Sequence, residues 1–139
     1  MNTKKLAGII VACTVAITLV IVMVIIPLIS PPTITKLVDQ TLVVPVGVEN
    51  APRVYFNVSG TGILKGTVEV ITGQEISYYL YSETSEPGWT VAKGESVLRS
   101  LFEVPLDTGR YKLIVVAYLP NQDNPNEERI VNVYLEFEN

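Results

Sequence analysis

Few side chains in this 139-residue chain have the chemistry to act on a substrate. There is no histidine, so the commonest general base and metal ligand is missing. The single cysteine, Cys13, lies inside a run of apolar residues, where it reads as a small apolar side chain. Ser-His-Asp and Cys-His arrangements and histidine-based zinc sites therefore cannot be assembled. Carboxylates remain, but no pair stands out by its spacing. The chain is read as a non-enzyme, with no cofactor and no resident metal. Residues 121–128, "NQDNPNEE", gather oxygens that could ligate Ca²⁺ at a strand connection. The segment lacks the regular alternation of a dedicated calcium loop, so a solvated hairpin loop is the preferred reading.

Aromatic side chains are the stronger candidates, because Tyr and Trp concentrate at recognition surfaces. Tyr79 and Tyr81 fall on one face of a strand, and Tyr55, Tyr118 and Tyr134 point outward on theirs. Tyr55, Tyr79, Tyr81 and Trp89 are the candidate partner surface. The plainer alternative is that aromatics favour sheets and pair across strands. Contiguity in the folded domain decides between the two. Asn57-Val58-Ser59 has the pattern of a glycosylation acceptor.

The elements that must hold these residues fall into two parts. From Leu6 to Ile29 runs "LAGIIVACTVAITLVIVMVIIPLI", without a charge. As a helix, residues 6–26 would extend about 31 Å, matching the ~30 Å of bilayer hydrocarbon. The run is too long for the apolar core of a cleaved signal peptide and ends in Pro27. A transmembrane helix is expected over 6–29, making the lipid bilayer a partner of the chain. Gly8, Ala12 and Ala16 recur every four residues, a spacing that lets two helices approach and offers a route to a homo-oligomer. Lys4 and Lys5 precede the helix, which places residues 1–5 in the cytoplasm and the C-terminal part outside. Residues 30–40 contain Pro31 and Pro32 and are read as a stalk.

Beyond the helix there are eight Lys/Arg against fourteen Asp/Glu, a net charge of −6. An acidic exterior lacks the basic footprint that nucleic acid requires. It also contains no cysteine, so its stability must come from a core rather than from disulfides. From Thr41 onward short runs rich in Val, Ile and Tyr alternate with Gly, Pro, Asn and Ser clusters. Strands are expected at 41–46, 52–58, 62–71, 75–82, 96–104, 110–119 and 128–137, with a short one near Trp89. Val131, Val133, Leu135 and Phe137 alternate with Asn132, Tyr134, Glu136 and Glu138, one face for a core and one for water. Seven or eight such strands specify an all-β fold over 41–139, an antiparallel β-sandwich of Greek-key or jelly-roll type. In "VPLDTGRYKLIV", residues 104–115, Asp107, Gly109 and Tyr111 stand at the entrance to a strong strand. A Tyr at such a corner turns its hydroxyl back onto upstream backbone, so the motif fixes a crossover between sheets. Asp107 is read as a turn residue accepting from turn amides.

The order of these motifs resembles a known family. "VSGTGILKGTVEVITGQEISYYLYS" (58–82), Trp89, "FEVPLDTGRYKLIVV" (102–116) and "ERIVNVYLEFE" (128–138) are similar to GOLD-like domains, the β-sandwiches of emp24/p24-type proteins and their prokaryotic relatives. The resemblance covers roughly residues 42–138. It implies a non-enzymatic role in protein recognition. Eukaryotic members carry a C-terminal anchor after a coiled coil, whereas here the anchor is N-terminal, as suits a prokaryotic surface protein. The function expected is therefore a membrane-anchored module that binds a protein or glycan partner. The alternative is a pilin-like filament or cell-envelope structural subunit. Pilins are processed after Gly or Ala directly following the basic residues, and here Leu6 follows Lys5. Protease added to intact cells is expected to remove the outer domain while sparing a tag at the N-terminus. Full protection of residues 41–139 would reverse the topology.

Overall fold

A computed structural model describes residues 31–84, 88–118, 124 and 126–139. The expected transmembrane helix, with Gly8, Ala12 and Ala16, and residues 121–123 and 125 of loop 121–128 lie outside the described residues. Among the described residues no helix is long and apolar enough to cross a membrane. Thr33–Asn139 is one compact unit.

Eight strands build it: β1 (Ile34–Val44), β2 (Arg53–Val58), β3 (Gly62–Thr72), β4 (Ile76–Ser82), β5 (Trp89–Val97), β6 (Arg99–Leu106), β7 (Gly109–Val116) and β8 (Arg129–Glu138). They form two four-stranded sheets with orders β1-β8-β3-β6 and β2-β7-β4-β5. Every pairing between these strands is antiparallel. Consecutive strands from β1 to β8 mostly change sheet, which is the jelly-roll form of the Greek key.

Strict alternation explains why two sheets close on each other. In β8, Val131, Val133, Leu135 and Phe137 are buried, while the residues between them face water. β2 does the same with Val54, Phe56 and Val58. Opposite these, Leu64 and Val68 of β3 and Leu80, Leu113 and Val115 of the second sheet are fully buried. Each such side chain contributes roughly 1.5–3 kcal/mol on leaving water.

Two glycines shape the layer between the sheets. A Cβ on Gly66 would lie 2.2 Å from the Phe102 ring, and one on Gly94 would lie 2.3 Å from the Tyr78 ring. Each glycine is the cross-strand partner of the aromatic that covers it. The two rings then meet across the layer, stacked with centroids 5.3 Å apart. Tyr78 also shares a 2.8 Å hydrogen bond with the Ser100 hydroxyl.

Three expectations are corrected. The stalk expected over 30–40 gives way at Ile34, because β1 begins there and pairs with β8 from Glu138 inward. Hydrogen bonds in both directions between the backbones of Thr33 and Asn139 extend that ladder. The single strand expected at 96–104 is two strands, β5 and β6, broken at Leu98 where the chain passes between sheets. Ser96, in the left-handed region at φ 52°, marks that break, and its N–H donates to Ser77 Oγ. The short strand near Trp89 is nine residues long. Two register shifts in its pairing with β4 disturb the period-2 signal that reveals the other strands.

The corner before β7 is built as its motif indicates. Tyr111 Oη donates to the Asp107 carbonyl at 2.8 Å. Asp107 takes a different partner from the turn amides expected, accepting from Thr61 Oγ1 at 2.9 Å. Thr108 Oγ1 accepts from the Gly60 N–H, so the β6–β7 crossover is tied to the β2–β3 crossover. Tyr111→Phe is expected to lower stability by about 1 kcal/mol, and a thermal melt should shift down by ~4–8 °C. An unchanged melting temperature would show that the corner bond contributes nothing.

Candidate functional site

The outer face of the β2-β7-β4-β5 sheet presents the tyrosines. Register aligns them in two rows that run across the strands. Tyr55 pairs with Lys112, Lys112 with Tyr81, and Tyr81 with Thr90. One step along the strands, Arg53 pairs with Ile114, Ile114 with Tyr79, and Tyr79 with Lys93. Beside the first row, Asn57 pairs with Arg110. Cations and aromatic rings are therefore interleaved.

Their contacts are specific. The Arg110 guanidinium carbon lies 4.8 Å from the Tyr55 ring centroid. Lys112 Nζ lies 5.6 Å from that of Tyr81 and pairs with Glu83 at 2.6 Å. Such contacts favour the cation over the electron-rich ring face. Tyr79 and Tyr81 are near-parallel, with centroids 6.3 Å apart. A concavity of about 570 Å³ beside them is lined by Tyr79, Tyr81, Thr90, Val91, Ala92 and Lys93. Tyr118 reaches in from the end of β7, and its hydroxyl shares a 3.3 Å hydrogen bond with that of Tyr79. That hydrogen bond, with partial burial and the nearby negative charge of Glu95, holds the Tyr79 proton and pushes its pKa up to about 12.

Of the four residues expected to make a partner surface, three are brought together. Tyr55, Tyr79 and Tyr81 share this face. Trp89 does not join them: it pairs with Ser82, one residue out of phase with Tyr81. Alternation along β5 turns it to the other side, where it remains 64% exposed. Only cross-strand register separates it from Tyr81, and a single sequence does not display that register. Arg53, Arg110 and Lys112 belong to the face equally but were not picked out from the sequence. Alternation with Tyr111 and Leu113 was the available signal for Arg110 and Lys112.

The opposite outer face differs in charge. On the β1-β8-β3-β6 sheet, Asp39, Glu69, Glu103, Glu136 and Glu138 stand with Lys36, Lys65 and Arg99. Lys65 pairs with Glu138, and Lys36 with Asp39. A depression of about 290 Å³ there is lined by Lys65, Thr67, Leu101, Glu103, Tyr134 and Glu136. Among the described residues no group of three or more His, Cys, Asp or Glu is placed to hold a metal ion.

No protein-family model matches the chain, and no curated protein matches it by sequence. Solved structures do resemble it. The pre-peptidase C-terminal domain of a collagenase from Bacillus anthracis superposes with a TM-score of 0.54 at 18% identity, over 70% of this chain and 89% of that one. Looser likenesses include a family 29 carbohydrate-binding module complexed with cellulohexaose (TM-score 0.41, 13% identity, 78% of this chain and 92% of that one). Another is a chain of the disulfide-linked pili that form Bacillus endospore appendages (TM-score 0.44, 15% identity, 78% and 90%). At these identities the collagenase domain establishes a likeness of fold alone: an all-β sandwich of two antiparallel sheets.

The Tyr79–Tyr118 pair yields a test in alkali. Tyr79 holds its proton more tightly folded than unfolded, so between pH 10 and about 12 the unfolded chain loses that proton first. The pair's contribution to stability is complete below pH 10 and falls as pH rises through that window. Tyr118→Phe is expected to bring the last-titrating phenolate, followed by ultraviolet absorbance, down toward 10. An identical titration curve in the variant would show that the two hydroxyls are not coupled.

Proposed function

We propose that the chain is a single-pass, N-terminally anchored protein, its N-terminus cytoplasmic and its sandwich extracytoplasmic, that serves as a non-catalytic recognition module. Its partner is a protein or glycan, held on the outer face of the β2-β7-β4-β5 sheet. The observation that carries this reading is the gathering of Tyr55, Tyr79, Tyr81 and Tyr118 with Arg110 and Lys112 on one accessible face. Rigid aromatic rings supply contact area at little cost in side-chain entropy, and cations add orientation. The apolar, uncharged run of residues 6–29 supports the anchor. The GOLD-like order of motifs over 42–138 supports a recognition role.

The full chain in nanodiscs is offered purified envelope polymers and envelope proteins of its own cell. Wild-type protein is expected to bind one of them. Y79A/Y81A is expected to bind roughly tenfold more weakly, while L101A, on the opposite face, binds as wild type. Equal binding by wild type and Y79A/Y81A would remove the tyrosine face from the account. Loss in L101A alone would move the site to the other sheet.

A further inference from the structure

The tyrosine face carries a positive charge that the rest of the domain does not. Four of the eight Lys/Arg that follow the apolar run, namely Arg53, Lys93, Arg110 and Lys112, stand on it. Two are answered locally, Lys93 by Glu95 at 3.0 Å and Lys112 by Glu83 at 2.6 Å. Among the described residues, no carboxylate lies within ion-pair distance of Arg53 or Arg110. Both arginines are exposed, and both flank Tyr55. In a domain whose net charge is −6, this is a local reversal of sign. The opposite face has the reverse excess, five carboxylates against three cations.

We propose that the face takes an acidic polysaccharide, with its sugar rings on the tyrosines and its carboxylates on Arg53 and Arg110. This rests on the recognition reading above and narrows its partner to one class. The planar guanidinium fork matches a carboxylate with two parallel hydrogen bonds, which a lysine ammonium cannot do. Tyrosine ring faces carry a partial negative charge that attracts the polarised C–H groups of a pyranose. The Tyr55–Lys112–Tyr81–Thr90 row crosses four strands, about 14 Å at the usual spacing, which suits an extended chain better than a single sugar. An acidic peptide would satisfy the arginines but not the rings. The concavity beside Tyr79 and Tyr81 is a shallow, open one, ringed by Thr90, Val91, Ala92 and Lys93, and offers no deep socket for an apolar anchor.

The full chain in nanodiscs of neutral lipid is titrated calorimetrically with four probes: oligogalacturonate, cellohexaose, a polyglutamate peptide and a poly(glycerol phosphate). Oligogalacturonate is expected to bind at least about tenfold more tightly than each of the others. R53Q/R110Q is expected to bring it down to the cellohexaose level, and R53K/R110K to an intermediate one, since charge remains but the fork is lost. Cellohexaose binding as tightly as oligogalacturonate, or R53Q/R110Q binding as wild type, overturns the anion assignment and leaves the recognition reading standing. Polyglutamate at parity shows that charge alone suffices and overturns the polysaccharide. A preference for the phosphate polymer overturns the carboxylate. Failure of all four probes also overturns the proposal, while the envelope-binding test decides the broader reading separately.

Discussion

The sandwich depends on one strand being in the right phase. β8 lies between β1 and β3 and pairs with both along most of its length. Its four inward apolar residues are nearly inaccessible to water. A slip of one residue would turn Val131, Val133, Leu135 and Phe137 outward and bury Asn132, Tyr134, Glu136 and Glu138. Burying two carboxylates without partners costs several kcal/mol, comparable to the whole stability of a small domain. The polar half of β8 is therefore as important to register as the apolar half. Because β8 pairs with β1, from Ile34 with Glu138 inward, the first sheet closes only by joining segments far apart in sequence. Contacts of such long sequence separation make for slow folding.

Register fixed in this way determines what the other sheet presents. Its inward residues Val54, Phe56, Tyr111, Leu113, Tyr78 and Leu80 must pack on the β8 layer. The residues between them are then committed to the outer face. Tyr55, Arg110, Lys112, Tyr79 and Tyr81 are neighbours because their buried partners are neighbours. Core and surface are two readings of one pairing pattern.

That dependence explains what a sequence reader can and cannot see. The alternation of β8 and β2 was plain, as was the Tyr111 corner, because each is encoded within a dozen residues. The start of β1 was hidden: "ITKLVDQ" mixes charges with apolar residues across a bulge between Lys36 and Val38, and nearby prolines suggest a stalk. β5 was hidden by its register shifts and by Gly94, which exists to admit the Tyr78 ring. The tyrosines were visible as individual residues. Their assembly with Arg53, Arg110 and Lys112 was not, because Tyr55, Tyr81 and Lys112 come from three separate strands. The phase of Trp89 was lost for the same reason.

The paired ends of the domain carry a mechanical meaning. Thr33 is bonded in both directions to Asn139, and ten residue pairings follow along β1 and β8. A pull on Thr33 directed along β1 would load that ladder in shear. Those bonds then share the load in parallel instead of opening one after another like a zip. In the anchored protein proposed above, such a pull would be borne by the whole β1–β8 ladder at once rather than by the core behind it.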